Sequence, residues 1–213
     1  MELIFQGLDF FHKGGIVMYV LLLCSLFVLA VAVERGKYFA RSDSGRAFAK
    51  EFAAYMLQAR TEEALRLAQS SQGALAGILA DVLGSEKSPA RKNAAAYMEV
   101  QSGIAISRFR QKLYYLSVIV TMAPLLGLLG TISGMISAFS VFNVASGQSA
   151  AITGGVGEAL IATAMGLCVA IISLAVHAYF SQRIENIITD MELCFSLAET
   201  AAGEFSSKAG DGL

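Results

Sequence analysis

The chain has 213 residues, 55% of them hydrophobic and 15% charged, with a formal net charge of −1. Soluble domains carry roughly a quarter charged residues, so an ordinary cytosolic globule is excluded, and so is a disordered chain, which needs low hydrophobicity and high charge. Near-neutral charge leaves no basic footprint for nucleic acid, and three cysteines without a Cys-x-x-Cys pair exclude a disulfide framework or zinc knuckle.

Residues 1–15, MELIFQGLDFFHKGG, are too short to span a bilayer. Their mix of Leu, Ile and Phe with polar residues predicts an interfacial helix lying on the outer surface. A charge-free run then extends from Gly14 to Val33, and residues 16–33 form the first predicted span. A hydrocarbon core of roughly 30 Å needs about 20 apolar residues in a helix. The flank before this run carries Glu2, Asp9 and Lys13 rather than a basic cluster, and the basic cluster of Arg35, Lys37, Arg41, Arg46 and Lys50 follows it, the reverse of a signal peptide, so it reads as a retained anchor.

Residues 34–113 are a polar helical region. Asp43 or Ser44 is the expected cap of a helix through FAKEFAAYMLQAR. Thr61 opens another, with Glu62 and Glu63 in its first turn, where acids meet the positive end of the helix dipole. Ser88-Pro89 marks a third start, with serine as cap and proline at the first helical position. No Gly-Pro breaker follows until Pro124, so this helix is expected to run unbroken into the second span, residues 114–142.

Residues 113–157 contain no Asp, Glu, Lys or Arg. The second span is crowded with Gly127, Gly130, Thr131, Ser133, Gly134, Ser137 and Ala138, and Gly130-x-x-x-Gly134 is a spacing that lets helix backbones approach closely. Residues 143–157 are expected to form the outer loop, and 158–180 the third span, in which Ala159, Ala162, Thr163, Gly166, Ala170 and Ser173 repeat the small-residue stripe. Residues 181–213 are a helical extension ending in a polar tail, with apolar spacing at Ile184, Ile187, Ile188, Met191 and Phe195.

Thirteen of the 16 basic residues lie between Arg35 and Lys112, and the 143–157 loop has none. The positive-inside rule then places residues 34–113 and the C-terminus in the cytoplasm and the N-terminus outside. The expected fold is an all-α membrane protein with three transmembrane helices. Two of them are very long and extend into a cytoplasmic helical bundle. Their uncovered apolar stripes need neighbours, so a homo-oligomer is expected.

Three residues are candidates for an ion pathway: Thr131, Thr163 and Glu158. Both threonines lie inside apolar spans, on or beside the small-residue face. Repeated around a ring of subunits, they would form belts of hydroxyls in a greasy pore. Tight packing and bonding back to the helix's own carbonyls is the alternative. Glu158 stands at the edge of the third span and reads equally as an interfacial anchor. Hydroxyls hand on a proton but do not store one near neutral pH, so a carboxylate must come from another chain. His177, near the cytoplasmic edge, reads as an interfacial residue, and the cysteines as structural. There is no P-loop, HExxH, GxSxG or Cys/His cluster, so no enzyme, metal or cofactor is indicated.

The string APLLGLLGTISGMISAF (Ala123 to Phe139), followed by GEALIATAMGLCVAI (Gly157 to Ile171), resembles the paired signature of the ExbB/TolQ proton-channel family, which is related to MotA. Three spans rather than four look like ExbB or TolQ. The sequence departs at Ala170 to Phe180, where Ile172-Ser173 and His177 stand in a region in which that family usually carries a proline and an asparagine. The resemblance implies an inner-membrane homopentamer around the single-span helices of an ExbD- or TolR-like partner, with the N-terminus periplasmic. Protons are the coupling ion, and a TonB- or TolA-like protein delivers the work to the outer membrane. It further implies that Thr131, Thr163 and Glu158 line or border the channel, while the proton-carrying aspartate belongs to the partner. An ExbB-like role in import is the first expectation. The alternatives are a TolQ-like role in envelope integrity or a non-conducting membrane scaffold.

Overall fold

The computed structural model describes residues 15–84, 93–142 and 149–210. Residues 1–14 of the interfacial helix expected over 1–15, and the helix start at Ser88-Pro89, lie outside the described residues; Gly15 opens the first span's helix. Those described form seven helices: α1 (Gly15–Ser42), α2 (Arg46–Leu57), α3 (Thr61–Ser70), α4 (Ala74–Gly84), α5 (Ala94–Arg110), α6 (Leu113–Phe142) and α7 (Ser149–Gly210). The chain divides into two compact units, one of Met1–Val33 with Lys112–Tyr179 and one of Glu34–Gln111 with Phe180–Leu213.

The first unit holds three apolar helical segments. Along α1 the buried side chains are Met18, Leu21, Val28 and Val31, a single stripe. Along α6 they are Leu113, Leu116, Ile119, Ala123 and Ala138, with Gly127, Gly130 and Gly134 also buried. Along α7 they are Ala159, Ala162, Gly166, Val169, Ala170 and Ser173. Each set recurs at three- and four-residue steps, the period of one helix face. Neighbouring helices run antiparallel. Phe27 meets Tyr115 edge-on with ring centroids 6.2 Å apart, whereas Val17, ten residues earlier on α1, lies beside Gly130. Most of the apolar surface faces outward: only 22%, 22% and 33% of the most apolar stretches of the three spans are buried within the chain. Such faces are stable only against lipid or further protein.

In the second unit Phe39 is the hub. Its ring lies 4.9 Å from Phe109 and 5.1 Å from Phe180, with the Arg183 guanidinium 5.8 Å above it. The core continues through Phe48 and Phe52 of α2, Leu75, Leu79 and Val82 of α4, and Ile184, Ile187 and Met191 of α7. Cys194 is fully buried, its Sγ 3.8 Å from the Ala49 carbonyl. Burial pushes its thiol up to about 12, so it stays protonated and inert. Arg35 is 3% exposed. It donates to the Arg108 carbonyl at 2.9 Å and to Glu34 at 2.9 Å. A buried cation thereby closes the negative end of α5.

Three expectations are corrected. The helix expected to run unbroken from Pro89 into the second span is interrupted at Gln111–Lys112. There Lys112 takes φ 69, and the amide of Tyr115 turns back to its carbonyl. A left-handed residue ends a helix without any glycine or proline to announce it. Of the loop expected over 143–157, residues 149–157 are helical instead, because α7 already begins at Ser149. Its glycines favour a loop, but at Gly155 the backbone oxygen comes within 3.3 Å of a Cβ position on Gly134, and that packing overrides propensity. Residues 143–148 lie outside the described residues. Finally, neither Asp43 nor Ser44 caps the helix through FAKEF, whose N-cap is Gly45. Asp43 accepts from the Gly45 amide, and Ser44 Oγ accepts from the Ala76 amide at 3.1 Å, capping α4 from 32 residues away.

Candidate functional site

The site is built on the seam between α6 and α7 in the first unit. Glycine makes the seam possible. A Cβ at Gly166 would stand 2.5 Å from the Ala123 carbonyl oxygen, and one at Gly127 3.0 Å from the Ala162 oxygen and the Thr163 Cα. These are backbone-to-backbone approaches that only hydrogen at Cα permits.

Thr163 uses that closeness. Its Oγ1 donates to the Gly127 carbonyl across the seam at 3.2 Å. Thr131, one turn beyond Gly127 on α6, instead donates back to Leu128 within its own helix. Both threonines are half-buried, each one residue past a fully packed small residue (Gly130 and Ala162). The seam therefore brings the two candidate threonines to the same stretch, each at its edge rather than at its centre. Glu158 lies on α7 between Gly157 and Ala159; its side chain is outside the described residues. His177 is half-buried on α7, 14 residues beyond Thr163.

Both hydroxyl protons are thus committed to backbone carbonyls. What each oxygen still offers is lone pairs. Such a pair of sites accepts a hydrogen bond from water, hydronium or a protonated acid. It gives little to an ionised carboxylate, which has no proton to donate.

Sequence reasoning placed Ser173 in the small-residue stripe without singling it out. It is completely buried, and its Oγ donates to the Leu116 carbonyl at 3.0 Å. The hydroxyl pins α7 to α6 well away from Thr163. Period alone put it on the right face; which carbonyl it would meet depends on the register of two helices 57 residues apart, which no local pattern encodes. Among the described residues no group of three or more His, Cys, Asp or Glu side chains could hold a metal.

Residues 50–193 match the MotA/TolQ/ExbB proton channel family. The chain is 36% identical over 178 residues to a biopolymer transport protein, ExbB-like 1, of Synechocystis sp., covering 79% of this chain and 68% of that one. It is 28% identical over 196 residues to a biopolymer transport protein ExbB homolog of Methanothermobacter thermautotrophicus, covering 87% and 67%. Over 90 residues it is 37% identical to the Tol-Pal system protein TolQ of Pseudomonas aeruginosa, covering 40% and 39%. The family is one of channels rather than of enzymes, and its three apolar helices make this a multi-pass membrane protein. With two signature spans meeting on a glycine seam edged by threonine hydroxyls, and a match across two thirds of its length, the chain belongs to the MotA/TolQ/ExbB proton channel family.

Proposed function

We propose that the chain is the proton-channel and stator subunit of an inner-membrane motor. In this reading copies of it, five by family resemblance, surround single-span helices of an ExbD- or TolR-like partner, and a TonB- or TolA-like protein receives the work. One observation carries the reading. The seam inside the spans offers the hydroxyls of Thr131 and Thr163, both with their protons already donated to the backbone, and the sole carboxylate of the second and third spans is Glu158 at the edge.

The chemistry follows from that arrangement. A partner helix bearing one carboxyl group would meet acceptor oxygens. A protonated, neutral acid donates to them, whereas an ionised one finds no free hydroxyl proton and pays for its desolvation. The belt therefore favours the loaded, neutral acid and raises its pKa. Proton release on the far side then changes how well the partner fits the ring. The energy available is about 2.3 kcal/mol per proton per 100 mV, enough to exchange one or two polar contacts per step. Glu158, at the rim, would gather protons or position the partner. The largely uncovered apolar faces of the three spans support assembly with further copies. An ExbB-like role fits the two long matches; the shorter match to TolQ keeps an envelope-integrity role as the second reading.

The test is proton uptake into proteoliposomes. The chain alone is expected to be tight, and the chain with its single-span partner to conduct. Thr131→Val and Thr163→Val should each lower flux by about 100-fold or more with assembly intact, the scale on which positioned proton-transfer groups act. Unchanged flux in both would leave a packing role only and favour a scaffold. Leak from the chain alone would make it a self-sufficient channel.

A further inference from the structure

Beyond the proposed ion path, and independent of it, the second unit carries a groove of about 610 Å³ bordered by Lys37, Tyr38, Ala40, Arg41 and Gln72. Lys37 and Arg41 are four residues apart on α1 and so share one face. Both are exposed, and neither forms an ion pair with a described residue. The nearby acids are engaged elsewhere: Glu34 pairs with Arg35 at 2.9 Å, and Asp43 with Arg183 at 3.1 Å. The buried Arg35 guanidinium lies 4.7 Å over the Tyr38 ring and holds that ring in place. Gln72 is held at the other side by the α3–α4 turn. Gly73, at φ +120, has no room for a Cβ against Ser44, and the Ala76 amide donates to Ser44 Oγ at 3.1 Å, which ties the turn to the segment just after α1.

The groove's depth along α1 identifies what it can meet. The apolar run ends at Val33. At 1.5 Å per residue Lys37 stands about 6 Å beyond it and Arg41 about 12 Å. The headgroup layer on each side of the hydrocarbon core is roughly 5–7 Å thick. Lys37 therefore sits at the level of lipid phosphates, and Arg41 reaches back to it along its flexible stem. Two cations with no ion-pair partner among the described residues, an amide donor and a tyrosine edge suit one phosphodiester anion.

We infer that this groove binds a phosphate anion, and that in the membrane its source is the headgroup of an anionic glycerophospholipid. The experiment is native mass spectrometry of the full-length chain, delipidated in detergent and titrated with phosphatidylglycerol, phosphatidylcholine or inorganic phosphate. Retention of phosphatidylglycerol over phosphatidylcholine is expected, with the double variant Lys37→Gln/Arg41→Gln losing about 25-fold in retention, each juxtamembrane cation being worth about a fivefold factor. The control Lys50→Gln/Arg66→Gln removes the same charge elsewhere in the same unit and should stay within about twofold, since charge away from the site acts only through a screened field. Equal loss in both double variants would reduce the effect to net charge and overturn the site. Retention unaffected by Lys37→Gln/Arg41→Gln would also overturn it. Inorganic phosphate that binds at millimolar concentration and expels the lipid, with the same residue dependence, would assign the groove to free phosphate and overturn the lipid source.

Discussion

At Thr163 one hydroxyl serves two ends, holding α7 to the Gly127 carbonyl and presenting its oxygen at the edge of the seam. Thr131 bonds only within its own helix. The two valine variants should therefore separate. Thr163→Val should lower stability by about 0.6 kcal/mol, the mean for hydrogen bonds between helices in a membrane, while Thr131→Val leaves stability within about 0.5 kcal/mol; unfolding in mixed detergent micelles measures both. Asp190 offers a titration test outside the membrane. It is half-buried on α7, with Arg46 of α2 at 3.9 Å. Desolvation raises its pKa, opposed by Arg46 and reinforced by Asp43. A carboxyl raised on folding stabilises the fold fully only below its unfolded value of about 3.9, and that contribution is lost as pH rises through the folded value. Asp190→Asn should therefore raise the thermal midpoint at pH 7, with the gain vanishing below about pH 4. A gain that persists at pH 3 would contradict this account.

Among the elements, the α6–α7 seam and the ends of α2 and α5 are the sensitive places. Gly166→Ala forces a methyl into the Ala123 carbonyl and should cost about 1–3 kcal/mol, as overpacking does. Gly103→Ala on α5 meets nothing within 4 Å and should stabilise by about 0.5–1 kcal/mol through helix propensity. Opposite signs for one substitution, read from two unfolding curves, would distinguish close approach from simple glycine content. Helix α2 ends in a turn where the Arg60 amide bonds the Tyr55 carbonyl and the Ala59 amide that of Met56. Ala59 fills the left-handed position at φ 57, which normally falls to glycine. Ala59→Gly relieves strain of about 1–2 kcal/mol and gives back about half of it as chain entropy, so a small rise in thermal midpoint is expected. At α5, Arg35→Ala would strip the Arg108 carbonyl of its charged donor and should cost about 1.5–3 kcal/mol.

For the whole molecule the decisive quantity is uncovered apolar surface. Two thirds or more of the most apolar stretch of every span finds no partner within the chain. A ring of copies enclosing a partner helix would cover part of it, and lipid the remainder. Glu158→Ala is expected to lower partner-dependent proton flux or partner retention, measured by co-purification and uptake; unchanged values in both would return Glu158 to an interfacial anchor. In the proposed motor the proton-carrying carboxyl comes from the partner, since the second and third spans hold no acid past Glu158 at their edge, so the chain without the partner is expected to show no proton flux.

Much of this was legible from residues alone. Long charge-free runs dictate helices in lipid, because backbone groups there must bond internally. The three- and four-residue spacing of Ala159, Ala162, Gly166 and Ser173 named the packed face before any coordinates. The same logic found Ile184, Ile187 and Met191, although Cys194 rather than Phe195 completes that stripe. Both threonines could be placed beside the seam. Other features depended on tertiary structure. Ser44 caps a helix 32 residues away because the turn at Gly73 brings α4 to it. Lys112 ends α5 in a conformation its residue type does not favour, and α7 starts in a glycine-rich stretch because α6 holds it. The direction of each threonine's proton was equally hidden. Periodicity reports which face of a helix is buried, but the acceptor opposite depends on the register between two helices, and that is settled only when backbones come within contact.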